Sequence, residues 1–177
     1  MAGGCKEIRG RVQRCCAVIF ATVGSQMPFD RMIKALDLWV GAGPLDVNVL
    51  AQIGDSSFLP QNIKYVRSLT PIEFRSAVEN SEVVVAHAGM GSVLTALEYG
   101  KKLVVMPRRG AQRETRNDHQ IATAMWLNSK PGVFVALDET VLGAVIEKAI
   151  SEKSASNRIS AVASEELICA VRDFLMT

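Results

Sequence analysis

Apolar residues recur along the chain in two patterns: short continuous runs, and longer stretches in which they return every third or fourth position. The continuous runs are typical of strands buried on both faces, and they lie at 17–23, 47–53, 62–66, 83–86, 103–106 and 133–136. The stretches with helical spacing predict helices at 28–40, 70–80, 93–99, 118–128, 138–150 and 157–175. Strands that alternate with helices predict a single Rossmann-like α/β domain, in which helices cover both faces of a parallel sheet of about six strands.

Local signals place several of the helix ends. Thr70-Pro71-Ile72-Glu73 has the form of a capping box with proline at the first helical position. Pro28 is placed for the first turn of the first helix, and the glycines and proline of residues 41–44 predict its end. Asp138 is expected to cap the helix that runs to residue 150.

Composition limits the class of protein. With 177 residues, of which 49% are hydrophobic, the chain can bury the core of one domain at 17–177, preceded by an extension at 1–16 whose order stays open. A net charge of +2 provides no global field for nucleic acid, so no nucleic-acid partner is expected. The longest apolar stretch is far shorter than the roughly 20 residues that span a bilayer, and no secretory signal is evident.

The four cysteines lack the spacing of metal ligands. They are Cys5, Cys15, Cys16 and Cys169. We expect free, partly buried thiols in a reducing cytoplasm.

The turn after the fourth apolar run carries the most informative chemistry. The run ends at His87-Ala88-Gly89-Met90-Gly91-Ser92, and a helix-patterned segment follows. A strand that passes through a glycine turn into a helix offers free backbone amides and the positive end of the helix dipole, which together favour phosphate. Gly89 and Gly91 would let a ligand approach the backbone, and His87 could donate a hydrogen bond to it. The alternative for this turn taken alone is a tight connection with a surface histidine.

Two other loops are expected at the same edge of the sheet. One is Gly24-Ser25-Gln26, and the other follows Pro107 and carries four arginines, Arg108, Arg109, Arg113 and Arg116. Guanidinium groups bind phosphate through paired donors, although a solvated loop is the alternative for each arginine. Asp118, His119 and Gln120 open the next helix, where they could hydrogen-bond hydroxyl groups. Helix capping by Asn117 or Asp118 explains one of these residues without a ligand, but it does not explain His119 and Gln120. The carboxyl edge of a parallel sheet is where ligands bind, so the three loops predict one site.

Four segments carry a resemblance to a known family: residues 21–31 (ATVGSQMPFDR), 86–100 (AHAGMGSVLTALEYG), 103–107 and 117–124 (NDHQIATA). They resemble the C-terminal, donor-binding domain of family 28 glycosyltransferases, over roughly residues 19–150. Within that family the chain is similar to the small subunits of two-part transferases that add N-acetylglucosamine to a dolichyl-diphosphate-linked sugar or glucuronate to a bacterial exopolysaccharide. The resemblance implies half of a GT-B fold.

The resemblance also implies roles for individual residues. The diphosphate of a UDP-sugar would lie at the glycine turn from His87 to Ser92, with His87 stabilising the leaving group. The first glycine loop, residues 24–26, would face the interdomain cleft, and His119 and Gln120 would contact the donor sugar. Thr95 stands where several relatives have a glutamate that binds ribose, which leaves the nucleotide open. Met90, Arg108, Arg109 and Asp118 complete the set of candidate substrate-binding residues.

The implied activity is that of the donor-binding subunit of an inverting transferase. It would move N-acetylglucosamine or glucuronate from a UDP-sugar to a lipid-diphosphate-linked acceptor. The general base and the acceptor-binding lobe would come from a membrane-associated partner subunit, which would hold the protein at the cytoplasmic face of the membrane. No metal or other cofactor is expected, because no Asp-x-Asp pair is present. The alternatives are a non-catalytic nucleotide-sugar-binding regulatory module and a fragment related to nucleotide-sugar epimerases.

Overall fold

Six parallel strands form the centre of the protein in the computed structural model, which describes residues 16–43, 45–116 and 118–153. The strands are β1 (Ala17–Thr22), β2 (Val47–Gln52), β3 (Lys64–Val66), β4 (Val83–His87), β5 (Lys102–Met106) and β6 (Val133–Val135). Their order across the sheet is β3-β2-β1-β4-β5-β6. The predicted fold class is therefore confirmed.

Helices cover both faces of this sheet. They are α1 (Asp30–Gly41), α2 (Pro71–Glu79), α3 (Met90–Glu98), α4 (His119–Leu127) and α5 (Leu142–Ser151). α1 and α5 bury apolar side chains against one face, where Ile19 and Val85 are fully inaccessible. α2, α3 and α4 pack on the other face, around Phe20 and Val84. Burial on both sides is the physical reason that the strands read as continuous apolar runs.

The strand order creates a point where the chain reverses direction across the sheet. From β1 the chain moves outward through β2 to β3, and it then returns to place β4 on the other side of β1. The loops that follow β1 and β4 diverge at this point and leave a crevice at the carboxyl edge. Ligands of open α/β sheets bind in such a crevice.

The helix ends follow local signals only in part. At α2 the capping box is present: Thr70 Oγ1 accepts the amide of Glu73, the Glu73 carboxylate accepts the amide of Thr70, and Pro71 opens the helix. At α1, however, Phe29 is the N-cap, so Pro28 precedes the first turn.

Two further predictions about helix ends are wrong. α3 begins at Met90, three residues before its predicted start, so the glycine turn itself forms the first helical turn. Asp138 does not cap α5, whose N-cap is Val141. The Asp138 carboxylate instead accepts the amide and hydroxyl of Thr140 in the preceding turn.

Some predictions lie outside the described residues. They are the helix at 157–175, the extension at 1–15 and the surroundings of Cys5, Cys15 and Cys169. Cys16 is described; its thiol is free and exposed, so the expectation of partial burial is wrong for this cysteine.

Candidate functional site

The loops after β1, β4 and β5 meet at the carboxyl edge of the sheet and enclose a cavity of about 300 Å³. Its lining includes most of the residues singled out in the sequence: Gly24, Ser25, Gln26, His87, Gly89, Met90, Gly91, Ser92, Arg108, His119 and Gln120. The cavity occupies the crevice between β1 and β4. Residues more than 90 positions apart in the chain thereby share one concave surface.

A second cavity of about 250 Å³ lies beside the loop that follows β1. Residues 24–27 line both cavities, and the second is completed by Gln52, Gly54, Asp55 and residues 67–69. Gly24 has a φ of +80°, which glycine adopts without strain. Its amide donates to Thr22 Oγ1 at 3.1 Å, and the Thr22 hydroxyl donates to Gln52 Oε1 at 3.1 Å. The first glycine loop is thus tied to the buried ends of β1 and β2.

His87 lies between two of the glycines. A Cβ atom at Gly24 would lie 2.5 Å from His87 Nε2, and one at Gly89 would overlap Cε1 of the same ring. Both glycines are therefore required to house the imidazole. The Nδ1 atom is buried and has no hydrogen-bond partner among the described residues.

The environment of His87 keeps its side chain neutral. Burial, aided by the positive charge of Arg108, lowers the pKa of His87 from its ordinary 6.5 to about 4, although a hydrogen bond with Gln120 acts in the opposite direction. At pH 7 the imidazole therefore carries one proton, and it can donate one hydrogen bond and accept another.

The N-terminus of α3 contributes backbone donors to the cavity. The N-cap residue is Gly89, and no side chain caps the helix. The amides of the first turn belong to Met90, Gly91 and Ser92, all of which line the cavity. Such amides have no partner within the helix and, together with the helix dipole, attract an anion.

Gly91 differs from the other two glycines of the site. A Cβ atom placed on it would meet no heavy atom within 4 Å, and its φ is not positive. Neither packing nor backbone conformation therefore requires glycine at this position, even though glycine lowers helix stability. The absence of a side chain keeps open the space above the amides of the first turn.

Arg108 lines the cavity, although it is only 4% exposed. Its Nη2 donates to the carbonyl oxygens of Val23 (2.6 Å) and Met27 (2.5 Å), and its Nη1 donates to those of Pro28 and Glu114, both at 2.9 Å. The guanidinium group thus contacts backbone oxygens on both sides of the first glycine loop.

A second arginine fastens the loop after β5 to α1. Arg31 forms a two-pronged ion pair with Glu114, with Nε and Nη2 each 2.8 Å from a carboxylate oxygen, and its Nη1 pairs with Glu139 at 2.8 Å. The Glu114 carboxylate also accepts the amide of Arg109 at 2.9 Å. Because both members of the Arg31–Glu114 pair are largely buried, this pair restrains the loop more than an exposed pair would.

His119 and Gln120, in the first turn of α4, both line the cavity, but their surroundings differ. His119 is exposed. Gln120 is 7% exposed; its Oε1 accepts the amide of Arg108 at 3.2 Å, and its side chain hydrogen-bonds His87. Gln120 therefore connects α4 to β4, through His87, and to the loop after β5, through Arg108.

Three candidate residues do not line the cavity, and their side chains form hydrogen bonds elsewhere. Thr95 donates to the Gly91 carbonyl at 2.9 Å, Arg109 donates to the Leu137 carbonyl at 2.9 Å, and Asp118 accepts the Gly110 amide at 2.7 Å. Each of these hydrogen bonds accounts for the presence of its residue without a bound ligand. Arg113 and Arg116 are exposed and do not line the cavity either.

Sequence reasoning did not single out several residues that build the site. They are Val23, Met27, Arg31, Glu114 and Thr115. Glu114 carried a signal, since it is one of only two acids among the four arginines of its loop. Arg31 carried none, because its partners lie 83 and 108 positions away.

The described residues contain neither a cluster of metal ligands nor a helix suited to cross a membrane. Within residues 16–43, 45–116 and 118–153, no group of three or more histidine, cysteine, aspartate or glutamate side chains is placed to hold a metal ion. No helix in the same part of the chain is long and apolar enough to cross a membrane.

Comparison with protein families gives one match. The model of the glycosyltransferase family 28 C-terminal domain matches residues 18–170, which is most of the chain. No curated protein sequence matches the chain.

Solved structures share the fold at low sequence identity. MurG of Acinetobacter baumannii is 14% identical, with a TM-score of 0.59 over 92% of this chain and 51% of its own. The spinosyn forosaminyltransferase SpnP is 17% identical, with a TM-score of 0.59 over 77% of this chain and 35% of its own. ALG13 is 17% identical, with a TM-score of 0.54 over 88% of this chain and 94% of its own. The chain thus spans about half or less of the first two proteins, but nearly all of the third.

Proposed function

Because the chain belongs to glycosyltransferase family 28 through a C-terminal domain that makes up half of a GT-B fold, we propose that it binds the nucleotide-sugar donor of a glycosyltransferase. The donor is a UDP-sugar whose diphosphate lies against the first turn of α3. The candidate residues that line the cavity, from Gly24 to Gln120, form the binding surface.

Gly91 is the observation that carries this proposal. Gly24 and Gly89 are explained by the His87 ring, but nothing in the protein explains the missing side chain at Gly91. A ligand that lies directly on the helix amides does explain it, and a diphosphate has the charge and the acceptor oxygens that such amides favour. The two cavities that share residues 24–27 provide separate space for the two arms of such a donor, the nucleoside and the sugar.

The chemistry of transfer follows from stabilisation of the leaving group. The acceptor oxygen forms a bond to the anomeric carbon while the bond from that carbon to the diphosphate oxygen breaks, and the electron pair remains on the diphosphate. Donors that are already in place around this developing charge lower the barrier. The amides of α3 and the neutral His87 supply such donors without a metal ion. The proton released by the acceptor hydroxyl goes to a general base outside this lobe.

The acceptor side of the reaction belongs to a second lobe. A GT-B site lies in a cleft between two lobes, and the described residues form one of them. We propose that a membrane-associated partner subunit supplies the other lobe and binds a lipid-diphosphate-linked sugar, as the resemblance to small subunits of two-part transferases implies. The chain would then act at the cytoplasmic face of the membrane, with N-acetylglucosamine or glucuronate as the transferred sugar.

Calorimetry with UDP-N-acetylglucosamine and UDP-glucuronate tests donor binding directly. We expect weak binding of at least one donor that is equally strong in the presence of magnesium and of a chelator, because backbone amides and His87 replace a metal ion. Binding that requires the metal, or no heat of binding at millimolar donor, would contradict the proposal.

Substitution of His119 and Gln120 is expected to separate sugar contacts from phosphate contacts. His119→Ala should weaken binding of the UDP-sugar several-fold and leave UDP binding almost unchanged, since one hydrogen bond contributes about 0.5–1.5 kcal/mol. Gln120→Ala should weaken the binding of both UDP-sugar and UDP, because Gln120 also hydrogen-bonds His87 and the amide of Arg108. If His119→Ala lowered the affinity for UDP-sugar and for UDP by the same factor, His119 would not contact the sugar.

A further inference from the structure

The contacts of Arg108 leave its terminal nitrogens no hydrogen with which to bind the donor directly. Its two terminal nitrogens donate to four backbone carbonyls at 2.5–2.9 Å, which is the full number of hydrogens that these nitrogens carry. The side chain also lies under the ring of Phe29, with 5.0 Å between the guanidinium carbon and the ring centroid. An incoming phosphate would have to displace these carbonyls to reach the terminal nitrogens.

The four carbonyls belong to the two loops on either side of the cavity. Val23, Met27 and Pro28 lie at the two ends of the first glycine loop, and Glu114 lies in the loop after β5. Residues 24–27 between them are mostly exposed, so few apolar contacts hold them in place. Arg108 is thus the group that joins the ends of this loop to each other and to β5.

The charge of Arg108 is not balanced by direct contact with a carboxylate. The Glu114 carboxylate pairs directly with Arg31 and acts on Arg108 only through its charge at longer range, while the Arg108 guanidinium group contacts carbonyl oxygens. A buried cation without a paired anion is costly. Here it lines a cavity that is also lined by free helix amides, so a bound anion would lower that cost while the terminal nitrogens stay on their carbonyls.

We propose that Arg108 is a positioning residue of the donor site, which holds the first glycine loop in its binding conformation through four backbone carbonyls and supports a bound diphosphate from beneath. This inference rests on the proposed function. It assigns to Arg108 a role that requires a forked cation, since a lysine ammonium keeps the charge but cannot reach acceptors on both sides of the loop.

Three proteins test the inference: the wild type, Arg108→Lys and Arg75→Met. Arg75 is exposed on α2 and away from both cavities, so Arg75→Met serves as a control for replacement of an arginine outside the site. The first measurement, made without ligand, is hydrogen exchange of the amides of residues 24–27. The second is the affinity for inorganic pyrophosphate, and the third is the pKa of His87 from NMR titration.

We expect Arg108→Lys to accelerate exchange in residues 24–27 and to weaken pyrophosphate binding by about tenfold or more, given the usual strength of charge-assisted hydrogen bonds. The pKa of His87 should stay well below 6.5, because both the burial of the ring and the positive charge at position 108 are retained. Arg75→Met should match the wild type in all three measurements. The inference would be overturned if Arg108→Lys kept the wild-type exchange rates in residues 24–27 and the wild-type affinity for pyrophosphate. It would also be overturned if the variant lost affinity while its exchange rates stayed unchanged, because that result would indicate direct contact between Arg108 and the ligand.

A measurement on the wild type covers the case in which Arg108→Lys does not fold. The guanidinium NMR signals of Arg108 should show slow hydrogen exchange in the free protein and keep their shifts when pyrophosphate is added, because the nitrogens remain on their carbonyls. Large shifts on binding would overturn the inference. The exchange measurements need no ligand, so a failure of the wild type to bind pyrophosphate would count against the proposed function alone.

Discussion

The purified chain by itself is expected to transfer no sugar, and activity should appear when a membrane-associated acceptor-binding subunit is added. The cavity lies at an open edge of the sheet, so this lobe provides one wall of the cleft. Without the second wall, nothing orients the acceptor hydroxyl or excludes water, and alignment of reactants can contribute about 7–11 kcal/mol to a reaction. The measurement is transfer of radiolabelled sugar to a lipid-diphosphate-linked acceptor by the chain alone and by the chain combined with any membrane protein that co-purifies with it.

The proposed two-part arrangement has a defined control. The same subunit combined with a chain that cannot bind donor should remain inactive, which shows that activity depends on this cavity. Rapid transfer to a soluble acceptor by the chain alone would refute the need for a partner. Donor binding with no transfer in the complex would instead favour a regulatory, non-catalytic module.

Gly91→Val is expected to abolish binding of the UDP-sugar without lowering the thermal stability of the protein. The valine side chain would enter the open space above the first turn of α3, where the diphosphate is proposed to lie. Its Cβ atom would meet no protein atom within 4 Å, and valine is a better helix former than glycine. Calorimetric titration gives the affinity, and thermal unfolding followed by circular dichroism gives the midpoint temperature.

Ala122→Val provides a matched control for this substitution. Ala122 is exposed in α4 and does not line the cavity, so the variant adds a branched side chain to a helix without entering the site. We expect it to bind the donor like the wild type. Donor binding by Gly91→Val at wild-type affinity would show that the ligand does not lie over this turn.

The fold could be predicted from the sequence because its signals are local. A continuous, β-branched apolar run such as 83–86 is typical of a central strand, and Thr70 and Glu73 cap α2 through contacts three residues apart. The convergence of three loops followed from the rule that parallel strands end at the same edge. The start of α3 could not be predicted in this way, because residues 90–92 of its first turn form no strong helical pattern.

The sequence alone determined the alternating α/β architecture, the glycine turn at the end of β4 and the resemblance to a transferase family. The tertiary structure decided what each residue in those loops does. It showed that Gly24 and Gly89 leave room for the His87 ring, whereas a Cβ atom at Gly91 would meet open space. It also placed Arg108 on carbonyls up to 85 positions away. Composition reveals that a loop is basic, but the acceptor that each guanidinium group meets depends on which distant segments the sheet brings together.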